Sequence, residues 1–192
     1  MKEAFLEPLL RAMRIARVLP YLNRYPACIL LDIGCGSEAR LLRQLEPYVA
    51  QGVGIDFKAP ALNTTKLKAI SATLDDSLPF DDNSFDIVTM LAVLEHLSKP
   101  AAILDEIGRV LRPGGGLVLT VPSEYAKPVL EFLAFRLGIV NPDEIRDHKR
   151  YYNKDDLLEA ITQTQSLEVV EHKYFQWRFN NFLFAAKNRC PP

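Results

Sequence analysis

The nine residues CILLDIGCG, Cys28 to Gly36, constrain the fold more than any other stretch: a short apolar run closing on an acid and two glycines one residue apart. Unbroken apolar character marks a strand buried on both faces, and the glycines let the backbone turn tightly where it ends. The next segment, EARLLRQLEPYV, has helical periodicity, so the unit reads strand, turn, helix. GVGIDF then reads as a second strand, LKAIS as a third, and FDIVTML, after the polar loop DDSLPFDDNS, as a buried fourth. VLEHLSKPAAILDEIGRVLR reads as helix, with Pro100 marking a break or a fresh first turn, and PGG closes it where a C-cap glycine is expected. GLVLTVP makes a fifth strand; the glycines Gly114 to Gly116 precede it, so they end a helix and hold no phosphate.

The rhythm breaks over residues 123–150, where an apolar helix spanning Pro128 to Val140 is followed by the polar NPDEIRDHKR. This insertion is expected to cover an acceptor site. NKDDLLEAITQT returns to helix with Asn153 as N-cap and acids in its first turn, and LEVVEHKYF and NNFLFAAKN close the chain as two strands. Ahead of all this, residues 1–24 form a cover helix: Phe5, Leu6, Leu9, Leu10, Met13, Ala16 and Val18 recur at helical spacing, with Arg11, Arg14 and Arg17 on another face. Strands alternating with helices imply one α/β domain over residues 1–192, a mostly parallel seven-stranded sheet covered on both faces. The closing strand pair, with no helix between its members, supplies one antiparallel strand near the C-terminus.

Charge and composition exclude several classes. Lys and Arg number 23 against 24 Asp and Glu, which leaves no global positive field to draw the chain onto nucleic acid. Cys28, Cys35 and Cys190 form no CxxC pair, so neither a disulfide framework nor a zinc site is expected, no metal is assigned, and a reducing cytoplasm is the simpler setting. No export signal and no apolar run long enough to span a bilayer is visible, which leaves a peripheral membrane contact open, most simply through the N-terminal helix.

In open parallel sheets ligands bind beyond the carboxyl ends of the strands. Asp32 to Ala39 stands at that place, and GCGSEA with Asp56 some 20 residues on also satisfies a dinucleotide pattern. Asp32 separates the readings, because a carboxylate at the strand tip repels a pyrophosphate and attracts a cationic ligand. The nicotinamide alternative also lacks a Tyr-x-x-x-Lys pair for proton donation.

LDIGCG, GIDF, LPFDDNSFDIV, VLEHL and RVLRPGGGLVLTVP, in this order and spacing, resemble the class I S-adenosylmethionine-dependent methyltransferases of the small-molecule type, over about Ile29 to Pro122. The resemblance implies a Rossmann-like three-layer sandwich and S-adenosylmethionine as cofactor, with S-adenosylhomocysteine as product. It places Asp32, Gly34, Cys35 and Gly36 at the methionyl and ribose-facing turn, Asp56 on the ribose hydroxyls and Phe57 against the adenine. The adenine amino group falls to Leu74 or Asp75, since this chain has Leu74 where the family commonly has an acid. Leu91 and Ala92 line the methyl-transfer face, with Glu95 and His96 on the first turn of the following helix. His96 and His148 are the candidate bases, against capping and solvated-loop roles, while His172 on a late strand is expected to be satisfied at the surface. Cys35 reads as a small turn residue. The acceptor expected is a small molecule, a lipid, quinone or saccharide precursor, and the chain a monomer or homodimer. A protein that binds the cofactor without catalysis, as a partner of another protein, is the remaining alternative.

Overall fold

A computed structural model describes residues 7–74, 76–136 and 145–188. Seven strands form one sheet: β1 (Ile29–Ile33), β2 (Gln51–Asp56), β3 (Leu67–Ser71), β4 (Phe85–Leu91), β5 (Leu111–Pro122), β6 (Leu167–Phe175) and β7 (Asn180–Lys187). Their order is β3-β2-β1-β4-β5-β7-β6. β1 pairs in parallel with β2 and β4, β2 with β3 and β4 with β5, whereas β7 runs antiparallel between β5 and β6. The expected single antiparallel strand is β7.

The helices are α1 (Glu7–Leu22), α2 (Arg40–Leu45), α3 (Pro100–Val110), α4 (Ala126–Phe135) and α5 (Lys154–Thr162). Alternate residues of the central strands feed two cores. Leu31 and Ile33 of β1, Val88 and Met90 of β4 and Leu117 and Leu119 of β5 pack with Ile103, Leu104 and Ile107 of α3 and Leu157 and Ile161 of α5. Leu30, Ile87 and Val118 face the other way, toward Val18 and Leu22 of α1, Leu42 and Leu45 of α2, and Phe182 and Phe184 of β7. Each fully buried aliphatic side chain contributes about 1.5–3 kcal/mol, so strand alternation is what sets three layers in register. Tyr21 of α1 stacks on Phe184 at 4.1 Å between centroids, and the Arg17 guanidinium lies 3.9 Å above the Phe175 ring. Asn153 caps α5 by accepting from the Asp156 N–H at 2.8 Å, ahead of Asp155 and Asp156 in its first turn.

Three expectations are corrected. The helix after β4 begins only at Pro100, and Glu95 and His96 stand before it on a 3-10 turn, Leu94–His96; proline takes the first helical position because its missing N–H is no loss there. The segment after β1 is helical only from Arg40 to Leu45, continuing as a 3-10 turn over Glu46–Tyr48, since Ala39 adopts φ 47° and starts the helix late. PGG does not end α3. The helix ends at Val110 and residues 111–122 form a strand with a bulge between Leu111 and Gly116, where Gly114 has φ 81°; Gly116 then pairs with Ala186, where a Cβ would run into the Phe184 ring. The apolar helix expected over Pro128 to Val140 is helical through Phe135, and residues 137–144, Asp75 and Cys190 lie outside those described.

The loop ahead of β4 is held by Arg109 of α3, which donates to the Phe80 and Leu78 carbonyls at 2.8 and 3.0 Å and pairs with Glu106 and Asp82. At the tip of the β6–β7 hairpin, Gln176, Trp177 and Arg178 all have positive φ, and Trp177 is 91% exposed. That tip sits beside the carboxyl end of β5, because Pro122 pairs with Asn180.

Candidate functional site

The parallel strands β1, β2, β4 and β5 end on one rim of the sheet, and the loops there carry nearly every residue singled out above. Gly34 and Gly36 have φ 77° and 72°, conformations that cost glycine little. A Cβ at Gly34 would collide with the Val93 side chain, whereas one at Gly36 would meet nothing within 4 Å. The turn therefore presses on the loop after β4 at its first glycine and leaves open space at its second. Asp56 ties the two strand ends together: Oδ2 accepts from the Gly36 N–H at 3.0 Å and Oδ1 from the Lys58 N–H at 2.8 Å. Phe57 follows, 63% exposed, with the Lys58 ammonium 4.7 Å from its ring centroid.

Asp32 is buried at the tip of β1. Thr89, its register partner on β4, donates to Oδ1 at 2.8 Å, while Oδ2 is buried without a hydrogen-bond partner. Burial, with a further push from the Asp56 charge, raises its carboxyl to about 7 against the pull of the Thr89 bond. A buried carboxylate oxygen without a donor is costly unless something cationic or hydrogen-bonding arrives, and the open space at Gly36 gives such a group room. Cys35 is buried beneath the turn, and burial pushes its thiol up to about 12, as it does that of Cys28. Such thiols are inert. Leu74 is half-buried against the core, an apolar side chain without a polar acceptor to offer.

On the far side of the rim, Ala92 has φ 58° and donates to the Thr120 carbonyl at 2.8 Å, while Leu91 is buried. Glu95 is 1% exposed and its carbonyl accepts from the Lys149 N–H at 2.8 Å, which brings the segment around residue 148 onto the turn after β4. The His96 and His148 rings lie 4.8 Å apart at 74°, and Asp147 holds Nδ1 of His96 at 3.0 Å. Nδ1 of His148 and the Tyr151 hydroxyl are buried without partners. Burial, and then the neighbouring His96, lowers the His148 imidazole to about 4. Between α4 and this segment the described residues leave a cavity of about 500 Å³ lined by Lys127, Arg146, Lys149, Arg150, Glu131 and Tyr151, among others. His172 lies away from the rim, with Nε2 2.9 Å from Oδ1 of Asn181.

The Asp32 to Asp56 half of this rim is legible in the sequence, and DHKRYY gathers Asp147 and Tyr151 around His148, whereas Thr89 and Thr120 are not singled out by it. A threonine in an otherwise apolar strand, at Thr89 and at Thr120, was the available signal, since buried hydroxyls need a reason; Thr120 Oγ1 is itself buried without a partner.

A family model described as a methyltransferase domain matches residues 31–119. Ubiquinone biosynthesis O-methyltransferases of Vibrio cholerae serotype O1 are 27% identical over 163 residues, covering 79% of this chain and 66% of theirs. That of Vibrio parahaemolyticus is 27% identical over 150 residues, covering 72% and 63%. The alignments thus span somewhat under two thirds of these relatives. Among solved structures, a chain of the complex between the Haloferax volcanii Trm112 methyltransferase activator and a methyltransferase superposes with TM-score 0.74 at 21% identity, over 97% of this chain and 93% of that one. A SAM-dependent methyltransferase from Aquifex aeolicus superposes with TM-score 0.66 at 18% identity, over 90% and 89%.

Proposed function

We propose that this chain, whose residues 31–119 match a family model described as a methyltransferase domain, is a class I S-adenosylmethionine-dependent methyltransferase that methylates a hydroxyl of a small-molecule acceptor, a quinone, lipid or saccharide precursor. The observation that carries this reading is the buried Asp32, with one oxygen held by Thr89 and the other facing no donor, beside a glycine turn with open space at Gly36. Those residues fit S-adenosylmethionine, whose methionyl end is cationic. When bound, that cofactor supplies a sulfonium-activated methyl group and leaves as a neutral thioether.

The chain's own part is orientation. Asp32 attracts the methionyl end, Gly34 and Gly36 give the backbone its close approach, with Cys35 filling the turn between them, and Asp56, already on the Gly36 N–H, meets the ribose hydroxyls. Phe57 offers an exposed ring to the adenine, whose amino group falls to Leu74 or Asp75. Leu91 and Ala92 line the transfer path, and Glu95, His96 and His148 border the acceptor. Holding acceptor and methyl group in line at near-contact distance supplies several of the roughly 8 to 23 kcal/mol that an enzyme removes from a barrier. Oxygen as the accepting atom is supported by the names of the curated relatives. The cavity next to His148, with Lys127, Arg146, Lys149 and Arg150 against Glu131, favours an acceptor that carries an anionic group. The α4 segment and residues 145–150 cover that acceptor, α1 packs on the face of the sheet opposite α3 and α5, and the unpaired Cys28 and Cys35 suit a cytoplasmic setting.

Calorimetric titration with S-adenosylmethionine, S-adenosylhomocysteine and NADH tests the reading, with Asp56→Ala as control. Both adenosyl ligands should bind, NADH should not, and the variant should lose at least tenfold in affinity. NADH binding alone would overturn it. Cofactor binding with no methyl transfer to any hydroxylated acceptor would leave a non-catalytic binding protein.

A further inference from the structure

Three potential metal ligands converge on the acceptor side of the rim. Glu95 and His96 are neighbours on the 3-10 turn after β4, and His148 comes from a segment 52 residues later in the chain. One ligand atom from each lies within 4.8 Å of the other two. Backbone bonds fix the approach: the Lys149 N–H donates to the Glu95 carbonyl at 2.8 Å, and Tyr152 pairs in parallel with Ser123 just beyond β5.

The surroundings are those of a ligand set. Asp147 takes Nδ1 of His96 at 3.0 Å, which fixes the ring and leaves Nε2 as its coordinating atom, the carboxylate–imidazole arrangement that supports metal-bound histidines. Nδ1 of His148 is buried with no hydrogen-bond partner, although the two imidazoles stand 4.8 Å apart. Glu95 is a buried acid, 1% exposed, on the turn where the rings meet. Two imidazoles and one carboxylate with a position left open make a set for zinc or another divalent first-row ion. Bonds of about 2.0–2.2 Å place tetrahedral ligand atoms about 3.3 Å apart, so side-chain rotations of about an ångström close the cluster.

We propose that Glu95, His96 and His148 bind one divalent transition-metal ion, with Asp147 as positioning residue and an open coordination position toward the acceptor. The ion's role, though not its binding, rests on the methyl-transfer reading. It orients the acceptor hydroxyl and lowers its pKa; the hydroxyl proton leaves to water, the C–O bond forms and the C–S bond breaks.

The test uses the full chain stripped with a chelator, titrated with zinc by calorimetry and with cobalt(II) by visible absorption, and titrated separately with S-adenosylmethionine. One zinc per chain is expected, with ligand-field bands of a four- or five-coordinate cobalt site. His148→Ala should abolish the bands and weaken zinc at least a hundredfold with an unchanged circular dichroism spectrum. Asp147→Ala, at an exposed side chain, keeps the question open to refutation should the first variant not fold; about a tenfold loss is expected. A chain that binds S-adenosylmethionine but takes up no zinc, or zinc uptake undiminished in both variants, overturns the inference and leaves the methyl-transfer reading standing. Zinc binding at this site without S-adenosylmethionine binding overturns that reading instead.

Discussion

Asp32 couples the stability of the protein to pH. Its folded value of about 7 lies above the unfolded carboxyl value of about 3.9. The folded state therefore binds the extra proton between those values, and this group's contribution to stability is lost as pH rises from about 4 to about 7 and then levels off. Asp32→Asn should remove that segment of the profile and, without added cofactor, be more stable than wild type at pH 8, read from urea midpoints at several pH values. A cation beside Asp32 favours the ionised form. Cofactor binding below pH 7 should then release a proton, so that affinity falls by up to about tenfold per pH unit below 7. Titrations in two buffers of different ionisation enthalpy count that proton. The groups nearest in charge are Asp56 and the Cys35 thiol at about 12, and Asp32→Asn should bind at least tenfold more weakly at pH 8 with no proton released. Thr89 is the residue that holds Asp32 in place, so Thr89→Val, which removes the 2.8 Å bond but keeps the shape, should weaken cofactor binding with little change in fold.

At the scale of elements, Arg109 joins α3 to the loop ahead of β4 through two backbone carbonyls and two carboxylates. Arg109→Ala strands those partly buried acceptors and should lower stability by about 1–3 kcal/mol, seen as a lower urea midpoint at unchanged slope. The elements readable in the sequence were those whose local pattern agrees with their neighbours. β3, β4 and β6 match the strand runs residue for residue, because burial on both faces or alternation along an edge writes itself into composition. The start of β5 was not readable: PGGG is a strong local stop, and here it makes a bulge inside the strand, with Gly114 at φ 81° and Leu111 and Gly116 both paired to β4, before β7 joins at Gly116, where Phe184 occupies the space a side chain would need. The same division holds in the site. The Asp32, Gly34, Gly36 and Asp56 cluster is spelled out by two strand ends and their turns, whereas Thr89 under Asp32 depends on strand register, and His148 beside His96 on a fold-back that no spacing rule describes.

For the molecule as a whole, the strand order puts β1, β4 and β5 between two cores, leaving β3 and β6 as edges. Amide exchange should be slowest in those three central strands and fastest at β3 and along β6, where Val170 is 59% exposed. Added cofactor should slow exchange selectively around residues 32–36 and 91–96. Faster exchange in β1 than in β3 would contradict the layering. No helix among the described residues is long and apolar enough to cross a membrane. The hairpin tip has a practical consequence of its own. Trp177 is the chain's single tryptophan, and the fold already holds its indole in water at the rim where the strands end. Its fluorescence should therefore change little in wavelength when the protein unfolds, and shift to the blue when something settles over that rim. The molecule thus carries a built-in optical probe that is nearly blind to folding and alert to company at its mouth.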